Sequence, residues 1–205
     1  MVWRIALCVA AGYLLGGVNG AIVVSHALMK DDVRSKGSGN AGLTNYLRNY
    51  GGRATFLVAA IDVAKTVVAC LIGLWLLPAD PALGKMVAGT AAQMGHIFPV
   101  FYKFHGGKGI VCAGTLALMM DWRIFAILFS VFLILYLTTH LVSLGSVVAA
   151  LGYAAAFLIF FRDRMPIALL GVWVALLALF MHRTNIVRLL HGQESKTYLR
   201  KSQRK

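Results

Sequence analysis

Apolar residues run along the chain in long blocks, at about 2–29, 54–77, 86–101, 109–120, 124–142, 146–161 and 166–181, separated by short polar stretches. A helix needs about 20 residues to cross the hydrocarbon of a bilayer, so most of these blocks have the length of a span. The block 109–120 is short enough to be re-entrant, and 86–101 is diluted by Gln93, Gly95 and His96. The pattern predicts an all-α polytopic membrane protein of seven transmembrane helices, forming one integral membrane domain over 1–205. The first block is too long for a signal-peptide core and lacks a clean small-residue cleavage site, so it reads as an uncleaved span.

Composition supports this and charge adds an orientation. The chain is 60% apolar, against roughly 45–50% in globular domains, and carries 20 Lys and Arg against 7 Asp and Glu, a net charge of +13. With seven crossings, segments 30–53, 102–108 and 182–205 share one side and hold fourteen cations. The opposite side holds five, and Lys65 lies inside a span. The imbalance places the basic side and the C-terminus in the cytoplasm and the N-terminus outside. Basic loops attract anionic headgroups or phosphorylated substrates, although they also serve as a topology signal alone. The tail 195–205 is expected to be mobile and bound to anionic lipid.

Inside the spans, Gly12, Gly16, Gly17 and Gly20 give close helix contact, which core packing explains. Asn19, Ser25 and His26 lie toward the inner end, where a water-filled cleft would satisfy them. Asp62 and Lys65, three residues apart, share a helical face and can neutralise each other. Cys8, Cys70 and Cys112 have no paired spacing and read as packing residues.

Candidate chemistry gathers in three polar clusters on the basic side. GHIFPVFYKFHGGKG, from Gly95 to Gly109, places Lys103, His105 and Lys108 beside a Gly-Gly-Lys-Gly run. Glycines let backbone N–H groups turn toward one point, so Gly106, Gly107 and Gly109 with Lys108 are expected to cradle an anion. The loop from Ser35 to Gly52 has Gly37 and Gly39 before an apparent helix start, with Ser38, Asn40, Thr44 and Asn45 as neutral donors and acceptors. Arg48 offers a planar fork to phosphate or carboxylate. A plain flexible connector is the simpler account of that loop taken alone. In MHRTNIVRLLHGQE, from Met181 to Glu194, His182, Asn185 and Leu189 recur at helical spacing, while Arg183 and Arg188 point elsewhere and can meet headgroups.

In this order, GSGNAGLTNYLR, GHIFPVFYKFHGGKG and HRTNIVRLLHGQE resemble the three signature motifs of the bacterial acyl-phosphate:glycerol-3-phosphate acyltransferases, the PlsY family. Leu43 stands where that family usually has a small residue, and His105 replaces a more usual cation. The resemblance covers essentially the whole chain. It implies transfer of an acyl group from acyl phosphate to the 1-hydroxyl of sn-glycerol 3-phosphate, giving lysophosphatidate and phosphate in the bacterial cytoplasmic (inner) membrane. It also implies coupling to an enzyme that makes acyl phosphate, membrane lipids as surroundings, and no nucleic acid, cofactor or metal.

Carried over by motif position, Ser38, Arg48, His96, Lys108, His182 and Asn185 are expected to be catalytic. Gly37, Gly39, Asn40, Thr44, Asn45, Lys103, Gly106, Gly107, Gly109, Arg188 and Glu194 are expected to bind substrate. His96 and His182 titrate near neutrality and suit proton movement, or are hydrogen-bonding residues at helix ends. An acyl phosphate is already activated, so positioning and charge stabilisation suffice without a side-chain nucleophile. Two rival readings fit the residues less well. His26 and Asp31 have the His-x4-Asp spacing of acyl-CoA-dependent acyltransferases, but that dyad belongs to a water-facing α/β domain. A transporter of a small phosphorylated anion needs polar access from both sides, and here the clusters share one.

Overall fold

The computed structural model describes residues 1–198. Ten helices run through them: α1 Val2–Gly17, α2 Gly20–Met29, α3 Leu43–Asn49, α4 Ala54–Leu76, α5 Pro81–Ile97, α6 Ile110–Met120, α7 Trp122–Thr139, α8 Val142–Phe160, α9 Met165–Met181 and α10 Arg183–Leu190. Short 3-10 turns at Val33–Ser35 and Val100–Tyr102 complete the order, and no strand occurs among the described residues.

Each apolar block is helical, with caps that local chemistry explains. Asp80 accepts from Leu83 N and Pro81 opens α5 at a position where its missing N–H costs nothing. Asp121 caps α7 by accepting from Arg123 N. The first block is not one continuous rod. It breaks at Val18–Asn19, and the Asn19 carboxamide caps α2 by accepting from Ile22 N while donating to Ala41 O at 3.0 Å. Ser25 likewise donates to Ile22 O and accepts from Val33 N. Protein partners, rather than a water-filled cleft, satisfy Asn19 and Ser25; His26 is exposed on its own side of α2.

Four stretches are long and apolar enough to cross a membrane: Val2–Met29, Ala54–Leu76, Trp122–Thr139 and Val142–Phe160. The pair α9 and α10, bent by 60°, qualifies when taken together, whereas α6 has only 11 residues. The chain is a multi-pass helical membrane protein.

Close approach of α1 to α5 explains the glycine stripe. A Cβ at Gly16 would overlap Ala92 O, and one at Gly95 would overlap Tyr13 O, so these backbones touch where only hydrogen fits. Helix α4 packs on this pair, and α5 and α6 join it to a second layer of α7, α8 and α9. An apolar core of Cys70, Met86, Leu116, Ile124, Phe157 and Ile167 closes the end of the bundle away from the motif loops. At the loop end, Ile22, Val33, Tyr46 and Val58 form a smaller core that holds the first loop on α2 and α4.

Candidate active site

The first loop is tied down from within. Asn45 donates to Val33 O, Lys36 O and Asn40 O, each at 3.0 Å, and its Oδ1 accepts from Ser38 N at 3.1 Å. Its carboxamide therefore shapes the loop, and Asn45 also lines the cavity described below. Gly37 and Gly39 have φ of +57° and +71°, conformations that Cβ-bearing residues rarely adopt, and they act through this curvature; neither lines the cavity described below.

The glycine run also works differently from the expected cradle. Gly106 N donates to Ile97 O and Gly107 N to His96 O, continuing the end of α5, while Gly106 O accepts from Ala41 N of the first loop. Those N–H groups are taken by backbone carbonyls and cannot turn to an anion. What the run requires of glycine is space: a Cβ at Gly106 would overlap His96 O, and one at Gly107 would overlap His96 Nε2 and sit 2.7 Å from Ala41 O. Gly109, at φ +75°, turns the chain into α6, so Lys108 and the first turn of α6 face the cavity. Lys103 is turned away on the exposed side and does not line it, contrary to expectation.

The cavity, about 340 Å³, runs between α6, α7, α8 and α9 and reaches the motif loops. Its head is lined by Ser38, Asn40, Thr44, Arg48, His96, Lys108, His182, Asn185, Arg188 and Glu194. Three segments far apart in sequence thus converge. Lys108 Nζ donates to Asn185 Oδ1, and Asn185 Nδ2 donates to both oxygens of Glu194 at 3.1 and 3.2 Å. Arg188 Nε donates to Glu194 Oε2 at 2.9 Å, and Arg48 approaches Glu194 Oε1 at 3.8 Å. Arg188 therefore faces inward rather than toward headgroups. One buried carboxylate faces Arg188 and Arg48 directly and Lys108 through Asn185, leaving an excess of positive charge suited to a phosphate dianion. Burial pulls the Lys108 ammonium down to about 8, with Glu194 opposing that shift.

Behind His96 lies a buried ionic cluster. Lys65 Nζ is 2.7 Å from Asp62 Oδ1, 2.9 Å from Val18 O and 2.8 Å from His96 Nδ1. An ammonium has three protons, and here it has three acceptors. The expected Asp62–Lys65 pair is thus present, and it assigns His96 a neutral ring with Nδ1 accepting and Nε2 protonated. His182 has the opposite tautomer: Nδ1 lies 2.8 Å from Ala178 O and must donate, which leaves Nε2 as an acceptor at the cavity wall.

Beyond the head, the walls turn apolar, with Val111, Phe125, Phe129, Phe132, Ala150 and Tyr153 among them. An acyl groove between spans is what the resemblance implies, but its residues look like any lipid-facing helix; the aromatic spacing 125, 129, 132, 136 along α7 is the signal for them. Sequence reading missed Thr197, which is buried against Arg48. Ser195, Thr197 and Tyr198 contact Arg48 and the end of α7, and the expectation for 199–205 lies outside the described residues. His26 faces Asp32 at 3.7 Å, and Asp31 accepts from Tyr50, so the His-x4-Asp spacing builds no dyad.

The family model for glycerol-3-phosphate acyltransferase matches residues 6–192. The chain belongs to that family. Among the family's curated members, the glycerol-3-phosphate acyltransferase of Finegoldia magna is 41% identical over 187 residues, covering 90% of this chain and 91% of that one. The Thermoanaerobacter pseudethanolicus member is 40% identical over 184 residues with the same coverage. Among solved family structures, the glycerol 3-phosphate form of PlsY, an integral membrane glycerol 3-phosphate acyltransferase, superposes with a TM-score of 0.84 at 30% identity, covering 95% of this chain and 96% of PlsY. Its lysophosphatidic acid form gives 0.80 at 29% identity.

Proposed function

We propose that this chain transfers the acyl group of an acyl phosphate to the 1-hydroxyl of sn-glycerol 3-phosphate, producing lysophosphatidate and inorganic phosphate. The observation that carries the reading is one cavity with a cationic head and an apolar arm. Both reactants bear phosphate, and the donor also bears an alkyl chain, so each part of the cavity has a matching part of a substrate. The solved PlsY structures in glycerol 3-phosphate and lysophosphatidic acid forms support the same acceptor and product here.

The hydroxyl oxygen attacks the acyl carbonyl carbon, the carbon–oxygen bond to phosphate breaks, and the hydroxyl proton passes to His182 Nε2. Arg48, Lys108 and Arg188 neutralise the substrate phosphates and the departing one. The His96 Nε2–H offers a hydrogen bond to developing negative charge. Ser38, Asn40 and Thr44 orient the phosphates through neutral hydrogen bonds. Asn185 and Glu194 hold the cations in place.

The enzyme spans the bacterial inner membrane seven times, with the motif loops and C-terminus in the cytoplasm, where an acyl-phosphate-producing enzyme supplies the donor. Transport is the weaker reading, because the apolar core beyond Tyr153 leaves no polar route to the other end. Purified protein in liposomes, given palmitoyl phosphate and radiolabelled glycerol 3-phosphate, should form lysophosphatidate. Label accumulating in sealed vesicles without product would favour transport, and turnover with palmitoyl-CoA alone would refute the donor.

A further inference from the structure

Arg48 lies in the first motif, yet what fixes it comes from beyond the third. Its Nε donates to Thr197 Oγ1 at 2.7 Å and its NH2 group to Ser195 O at 2.6 Å. A guanidinium is planar, so two donors engaged on one side set the orientation of the whole fork. Thr197 is itself anchored. Its N donates to His140 O at 2.9 Å and its carbonyl accepts from Tyr136 OH at 3.2 Å, both at the α7 end, and the neighbouring Tyr198 ring lies 4.9 Å from that of His140. Thr197 is 2% exposed, and Thr is a residue type found mostly at surfaces. Arg48 lines the cavity and Thr197 does not.

We infer that Thr197 is a positioning residue: it holds the Arg48 fork toward the cavity and ties it to the α7–α8 turn, beside the apolar arm. The inference rests on the acyl-transfer reading above. Without the hydroxyl, Arg48 keeps its charge, its bond to Ser195 O and its attraction to Glu194, but loses the Nε anchor that fixes the plane of the fork beside the cavity. Bidentate recognition of a phosphate then weakens while folding does not.

The test compares Thr197→Val, which keeps the shape and removes the hydroxyl, with Thr197→Ser, which keeps the hydroxyl. In the full-length protein reconstituted in liposomes, Thr197→Val should lower kcat/KM with palmitoyl phosphate and glycerol 3-phosphate about tenfold, through a raised KM for one of them. Thr197→Ser should stay within about twofold of wild type. Tyr136→Phe, which releases the other anchor, should lower kcat/KM in the same direction with an unchanged unfolding temperature. Wild-type kinetics for Thr197→Val would overturn the inference, as would equal losses in the Val and Ser variants. If Thr197→Val does not fold, wild-type kinetics for Tyr136→Phe would overturn it. Absence of turnover in wild type would instead refute the acyl-transfer reading.

Discussion

Lys65 Nζ stands 2.8 Å from His96 Nδ1 and 2.7 Å from Asp62 Oδ1, so a charge inside a membrane-spanning helix is neutralised by one neighbour and sets the tautomer of another. An unpaired charge at the centre of a span costs about 2.5–3.5 kcal/mol on insertion scales. Lys65→Met leaves Asp62 buried without its cation, and breaking a buried pair from one side costs about 3–5 kcal/mol. That variant should unfold at markedly lower temperature in detergent, and adding Asp62→Asn should recover part of the loss. Nitrogen NMR of labelled wild-type protein should show the proton of His96 on Nε2.

Lys108 makes the cationic head pH-sensitive. Its ammonium titrates at about 8, so about nine-tenths of molecules carry the charge at pH 7 and about one-tenth at pH 9. Substrate affinity should fall as pH rises through 8, and Lys108→Arg should move that limb upward. Stability has the opposite sign. Because the folded pKa lies below the unfolded value of 10.5, the folded state binds fewer protons between about 8 and 10.5, and this group's contribution to stability rises with pH across that window. A pH profile of 1/KM without an alkaline limb would remove Lys108 from phosphate binding.

Gly107 has no room for a side chain. Gly107→Ala should displace His96 or the Ala41 carbonyl, since its Cβ would overlap His96 Nε2. A shift of about 1 Å at a catalytic group typically costs 10²-fold, and the expected fall in kcat is of that order. An alanine variant retaining wild-type kcat would show that His96 needs no exact placement.

The α1–α5 contact should be intolerant of volume. Gly16→Leu puts a side chain into the Ala92 backbone and should destabilise by at least the 1–3 kcal/mol of ordinary overpacking, measured as a lower unfolding temperature. A mutant as stable as wild type would mean that the two helices can part without cost.

Farthest from the head along their helices, the arm is lined by Ala117 of α6, Phe125 of α7, Tyr153 of α8 and Val174 of α9, and Phe157 stacks on Tyr153 at 4.5 Å. Each buried methylene is worth about 0.8 kcal/mol, or roughly fourfold in affinity. Tyr153→Leu should therefore shift the preferred acyl phosphate toward longer chains, read from kcat/KM over a chain-length series. An unchanged optimum would place the end of the chain in lipid rather than against Tyr153.

Several features were legible from residue order alone. Long apolar blocks cannot be accommodated in water, so their helical, membrane-embedded state follows from composition. The Asp62–Lys65 pair and the Gly16 contact follow from helical spacing, because residues three and four apart share a face. Helix α5 starts at Pro81, five residues before the apolar block at 86, because Asp80 and Pro81 set its first turn. The break at Asn19 was not legible, since its cap depends on Ala41, 22 residues away. The partners of the glycine run were hidden for a related reason. The Gly106 and Gly107 N–H groups are taken by carbonyls of α5, and a loop's hydrogen-bond partners are not encoded in the loop.

By itself, the order of residues determined helix positions, the basic character of the loops and the three motifs, since these depend on local periodicity and on transfer from water. Only the tertiary structure decided which polar groups face a ligand and which hold the frame. It turned Arg188 inward and Lys103 outward, and brought Thr197 against Arg48 across 149 positions. Directional contacts of that reach form only after the helices have packed, and packing is set by which surfaces fit, not by how far apart their residues lie along the chain.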